Sequence, residues 1–181
     1  MAWIRPKKWF GGEVPSATKL NEQLRDNFNA QSKDKPYFEG QITGSSLSLT
    51  NSTATNISWT ANQDTAALQN VSSPAQISCG TDSPGLYFVS ASVRFAANAT
   101  GLRRVRLTRF DPTIGTTVEA AATTKATGSL TATDLSVGCL LLLNSSQYFR
   151  VEVFQNSGGA LALAGFPRLT VAYVGENEWA G

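Results

Sequence analysis

The sequence predicts an all-β protein, an antiparallel jelly-roll sandwich behind a short N-terminal extension that contains one helix. Three observations predict it. From Tyr37 onward, apolar residues recur with a period of two, the spacing of a strand with one buried face. Turn-forming clusters such as Ser83-Pro-Gly85, Asn98-Ala-Thr-Gly101 and Asn156-Ser-Gly-Gly159 cut that pattern into short runs with no helical interludes, as in sandwiches and jelly rolls. Before Tyr37 the character differs: a Trp/Arg/Lys segment from Trp3 to Trp9 precedes a short amphipathic stretch.

In chain order, Ser16 follows Pro15 and is a good N-cap, its hydroxyl able to accept from an amide one turn on. Ala17, Leu20, Leu24 and Phe28 then share one face of a helix expected over 16–30. A helix this short is marginal alone in water, so its apolar face must pack on something. Residues 31–36 are polar and end in Pro36, which marks a connector. The division is therefore 1–36 as an anchoring segment, 37–175 as the β domain, and 176–181 as a tail carrying Trp179.

Within the β domain, Tyr87, Val89, Ala91, Val93 and Phe95 alternate as a core-facing set. The other face of that strand begins apolar with Leu86 and Phe88, then turns polar at Ser90, Ser92 and Arg94. Val105 and Leu107 alternate with polar residues. Phe149, Val151 and Val153 are expected inward, which leaves Tyr148, Arg150, Glu152 and Phe154 on the opposite face. Leu169, Val171 and Tyr173 are expected inward and close the domain, and the Ala/Thr-rich stretch 120–133 is left open between strand and loop.

Composition narrows the functions. At 181 residues the chain is one domain plus an appendage, and a β domain of roughly 140 residues can bury enough surface to fold without a metal or disulfide. Charged residues make up 15% and the net charge is +2, too weak a field to indicate nucleic-acid or membrane partners. The basic clusters at Arg5, Lys7 and Lys8 and at Arg103, Arg104, Arg106 and Arg109 are expected on a solvated or interface face. The longest apolar run, Val137 to Leu143, is too short to span a bilayer. The early basic residues lead into Trp9-Phe10-Gly-Gly-Glu and not into an apolar core, so no secretory leader is expected and folding is expected in a cytoplasm. Five Asn-x-Ser/Thr triplets then reflect composition.

There is no histidine, which removes Ser-His-Asp and Cys-His nucleophiles and the commonest metal ligand. Cys79 and Cys139 make no zinc site, and whether they meet across a sandwich is left open. No phosphate-cradling Gly-rich loop with a Lys-Ser/Thr pair is present. No cofactor or metal is expected. A lone Trp59 in the β domain is a core residue before it is a sugar platform.

Two stretches carry family resemblances. Ser78 to Phe95, with Ser83-Pro-Gly-Leu-Tyr-Phe-Val at the strand entry, then Leu140 to Gly158, then Phe166-Pro-Arg-Leu-Thr-Val-Ala-Tyr173 resemble, in the same order, strands of the tumour necrosis factor-like and complement-globular-head jelly rolls. The chain has Asn144-Ser145-Ser146 where that family usually has Gly-Asp, so no ion or ligand is carried over to that loop. At the N-terminus, Trp3 to Phe28, with Trp9, Gly12-Glu13, Pro15, Leu20-Asn21 and Arg25-Asp26-Asn27, resembles the opening of many tailed-bacteriophage minor structural proteins.

Together the resemblances imply a non-enzymatic virion protein, assembled in the host cytoplasm, whose jelly roll forms a homotrimer with the inner sheets meeting on a threefold axis. Carried over to this sequence, the implied interface residues are Leu86, Phe88, Tyr148 and Phe154 as apolar anchors, with Arg150 and Glu152 as cross-protomer partners. Cover by the chain's own N-terminal segment or an edge loop is the alternative. Trp3, Trp9, Leu20, Leu24 and Phe28 are the implied anchor to other virion proteins (capsid, tail or baseplate), and a clip closing the chain's own jelly roll is the alternative. Three roles follow: a trimeric tail, fibre or head-spike appendage, with a host-surface glycan or protein as a further partner; a trimeric capsid cement protein; or a freestanding carbohydrate-binding module.

Overall fold

The computed structural model describes residues 35–42, 47–80, 83–126 and 131–175, together with Ser16. The chain divides into two units, Met1–Lys35 and Pro36–Gly181. The helix expected over 16–30 and the tail 176–181 lie outside the described residues.

Eleven strands run through the described part of the second unit: β1 (Tyr37–Gln41), β2 (Ser48–Leu49), β3 (Thr55–Asn56), β4 (Thr60–Asp64), β5 (Ile77–Ser78), β6 (Gly85–Phe95), β7 (Leu102–Asp111), β8 (Gly115–Lys125), β9 (Thr133–Leu143), β10 (Tyr148–Gln155) and β11 (Leu161–Gly175). They form two antiparallel sheets. One has the order β4-β1-β11-β6-β9, with β2 added on β11; the other has the order β3-β10-β7-β8, with β5 added on β10. The non-sequential neighbours make this a jelly roll, since β1 pairs with β11 and β6 lies between β11 and β9.

The alternation expected from the sequence builds the core. Tyr87, Val89, Ala91, Val93 and Phe95 of β6 are buried, and so are Val105 and Leu107 of β7, Phe149, Val151 and Val153 of β10, and Leu169 and Val171 of β11. At roughly 1.5–3 kcal/mol for each large side chain removed from water, this layer is the dominant favourable term in folding. Trp59 is 3% exposed and joins the core, as expected of a lone indole in this domain. Cys79 and Cys139 are both free thiols.

One open reading is decided and one expectation is corrected. The Ala/Thr-rich stretch is strand as far as Lys125: β8 pairs with β7 along its length, with Ala120 opposite Leu107 and Ala122 opposite Val105, where small side chains fit against the core. The basic run 103–109 is not one face. Arg103 points inward and is fully buried, donating to the carbonyls of Leu102 (3.2 Å) and Asn98 (3.4 Å), whereas Arg104 and Arg106 point outward. Burial lowers the pKa of the Arg103 guanidinium.

Candidate functional site

A sandwich has two outward faces, and the two halves of the expected interface fall on opposite ones. Tyr148, Arg150, Glu152 and Phe154 lie on β10 in the five-stranded sheet. Their partners on β7 are Phe110, Thr108, Arg106 and Arg104 in turn. The side chains interlock within the chain. The Phe110 and Tyr148 rings stack at 4.8 Å, with interplanar angle 14°. The Arg150 guanidinium sits over the Tyr148 ring at 4.7 Å and donates to its hydroxyl at 3.1 Å. Glu152 accepts an ion pair from Arg106 at 2.7 Å and a longer one from Arg104 at 3.8 Å. Arg104 in turn covers the Phe154 ring at 4.8 Å. The result is a continuous aromatic, cationic and acidic strip whose groups are paired with one another.

Leu86 and Phe88 lie instead on β6 in the six-stranded sheet. Across β9, Leu86 pairs with Leu142 and Phe88 with Leu140; across β11, Phe88 pairs with Ala172, which pairs in turn with Tyr37 of β1. This is an apolar patch on an outward face, with Phe88 45% exposed and Leu140 60% exposed. Further along the same strands the face turns small and polar at Ser90, Gly138 and Thr170, then charged at Arg94, Asp134 and Arg168.

The implied interface set is therefore corrected in one respect: it does not share a surface. The outward faces of two packed sheets point away from each other, so a single axis running along one face brings Leu86 and Phe88 together, or Tyr148, Arg150, Glu152 and Phe154, but not both. The exposed apolar patch is on the face of the six-stranded sheet. Leu140 and Leu142 complete it, and the signal for them is the run Leu140–Leu143. In a strand, Leu141 and Leu143 turn inward, where they are buried, and Leu140 and Leu142 turn outward. The anchor residues Trp3, Trp9, Leu20, Leu24 and Phe28 lie outside the described residues.

Among the described residues no group of three or more His, Cys, Asp or Glu side chains could hold a metal ion. Among them, too, no helix is long and apolar enough to cross a membrane. The arrangement offers surfaces for binding.

No protein-family model and no curated protein sequence matches this chain. Solved structures do match. The chain is similar to Eiger TNF from S. frugiperda, with a TM-score of 0.57 and 12% identity, covering 81% of this chain and 98% of that one. It is similar to the globular domain of zebrafish complement 1qA protein, with a TM-score of 0.52 and 13% identity, covering 79% and 100%. Murine APRIL gives a TM-score of 0.56 and 11% identity, covering 76% and 99%. The β domain therefore has the jelly-roll fold of these tumour necrosis factor and complement modules. Its identity to each is low enough that the likeness defines the fold and leaves function to the surfaces.

Proposed function

We propose that this protein is a non-enzymatic structural component of a tailed-bacteriophage particle: a homotrimeric jelly-roll appendage of the tail, a fibre or a head spike. Residues 1–36 attach it to the particle, and the β domain is presented for host-surface binding. The observation that carries the self-association is the apolar patch of Leu86, Phe88, Leu140 and Leu142 on the outward face of the six-stranded sheet. Exposed apolar surface on an otherwise polar sheet is what the centre of a protein interface requires. The likeness to tumour necrosis factor modules supports three copies as the occupant of that face. The assignment to a virion rests on the N-terminal pattern from Trp3 through Phe28.

The test is a particle that lacks the protein. An appendage predicts normal heads and reduced adsorption to host cells. Heads that leak or break under osmotic shock, with adsorption intact, assign the protein to the capsid surface as a cement and overturn the appendage.

A further inference from the structure

The apolar end of the six-stranded sheet is used by the proposed trimer, but its charged end is not. Six residues separate Phe88 from Arg94 along β6, about 20 Å at the rise of a strand. There the outward face holds an open cleft of about 470 Å³, lined by Ser92, Arg94, Asp134, Ser136, Phe166 and Arg168. That volume is in the range of small-molecule clefts, roughly 300–1,000 Å³.

The cleft is shaped by a bulge. β11 advances from Ala164 to Arg168 while its partner β6 moves only from Arg94 to Ser92, so extra residues leave the ladder. Gly165 takes the left-handed turn that permits this, at φ 70°. The bulge throws Phe166 outward, where it is 70% exposed. Among the described residues this ring is no part of the hydrophobic core.

The polar groups divide into a settled pair and an unsettled set. Arg94 holds both oxygens of Asp134, with Nε at 2.7 Å and Nη2 at 2.9 Å. That fork keeps Asp134 ionised, below the usual carboxylate range, and neutralises it. Arg168, by contrast, makes no ion pair with any described residue, and the hydroxyls of Ser92 and Ser136 make no hydrogen bond with one. Among the described residues, the cleft thus presents one guanidinium without an ion pair, two hydroxyls without a hydrogen bond and one largely exposed phenyl ring.

We propose that this cleft binds a carboxylated pyranose, an acidic sugar unit of a surface polysaccharide. The Phe166 ring stacks on the apolar face of the sugar, Arg168 forks its carboxylate, and Ser92 and Ser136 bond its hydroxyls. Each feature answers one part of such a ligand: a small inorganic anion has no use for the phenyl, and a neutral sugar leaves Arg168 unpaired. The unpaired cation also limits the trimer. Burying Arg168 at a threefold axis without an anion is costly, so the protomers touch at the apolar end and the clefts stay open to solvent. The inference extends the host-surface part of the function proposed above.

The experiment is a protein-observed NMR titration of the full chain with methyl β-D-glucuronide, with methyl β-D-glucoside and sodium acetate as comparisons. The proposal expects the glucuronide to bind about tenfold or more tightly than either comparison. Arg168→Gln should abolish the preference over the glucoside, and Phe166→Ala should weaken both sugars without changing acetate. Both positions are exposed, so neither variant endangers the fold. Equal binding of glucuronide and acetate with no effect of Phe166→Ala would reduce the cleft to an anion site and overturn the sugar assignment. Absence of shifts at the cleft residues would overturn it too. Measuring the mass of the same sample separates the two readings: a trimer that binds no sugar loses the cleft alone, and a monomer that binds it loses the trimer alone.

Discussion

Glu152 shows how a single side chain changes meaning once its neighbours across the sheet are known. In sequence it is an outward acid beside Arg150, free to meet another protomer. In the fold it lies opposite Arg106, which pairs with it at 2.7 Å. Asp111 is a second such case, an acid at a turn whose work is entirely local. Its carboxylate accepts the amides of Thr113 (2.7 Å) and Ile114 (3.3 Å) and a hydrogen bond from the Gln147 side chain, joining the β7–β8 turn to the start of β10. The Thr113 amide contributes most, followed by Gln147, to holding its pKa below 3.8. A carboxylate with a lowered folded pKa contributes stability that is complete above its unfolded value and is lost as pH falls through the folded one. Asp111→Ala should therefore lower stability at pH 7, and the gap to wild type should close as pH falls below about 3.8. A gap that is constant in urea unfolding from pH 7 to pH 2 would contradict this role.

At the scale of elements, alternation was readable wherever large apolar residues mark one face. β6, β10 and the second half of β11 are legible from Tyr87 to Phe95, Phe149 to Val153 and Leu169 to Val171. β8 was not, because Ala and Thr carry little periodic contrast and its inward positions are small to fit opposite Leu107 and Val105. The outward leucines of β9 were hidden for the reverse reason: four leucines in succession show no alternation until the pleat separates them. These faces yield a contrast between substitutions. Phe88→Asp or Leu140→Asp should drive the protein to monomers while leaving its β-type circular dichroism intact, since both side chains are on the outside. Phe154→Ala and Glu152→Gln, on the opposite face, should leave the association unchanged. Analytical ultracentrifugation of the four variants decides it, and dissociation by Phe154→Ala with Phe88→Asp still associated would reverse the assignment of faces.

At the scale of the whole molecule, what a single sequence does not encode locally is which sheet a strand joins. Period-two alternation gives each strand an inner and an outer face. Whether the outer faces of β6 and β10 look the same way depends on pairings made across the chain: β6 with β9 and β11, and β10 with β7. Those pairings split the six expected interface residues into two and four. The cleft was illegible for a related reason, since it needs a bulge in β11 to bring Phe166 and Arg168 beside Arg94 and Asp134. The topology places the apolar patch at one end of one face and the cleft beside Arg168 at the other.

The central claim is that this face is where copies of the chain meet. The measurement that tests it most directly is the mass of the full chain in solution by light scattering across a range of concentrations. The account predicts three times 19.3 kDa. A mass of 19.3 kDa at every concentration would contradict it.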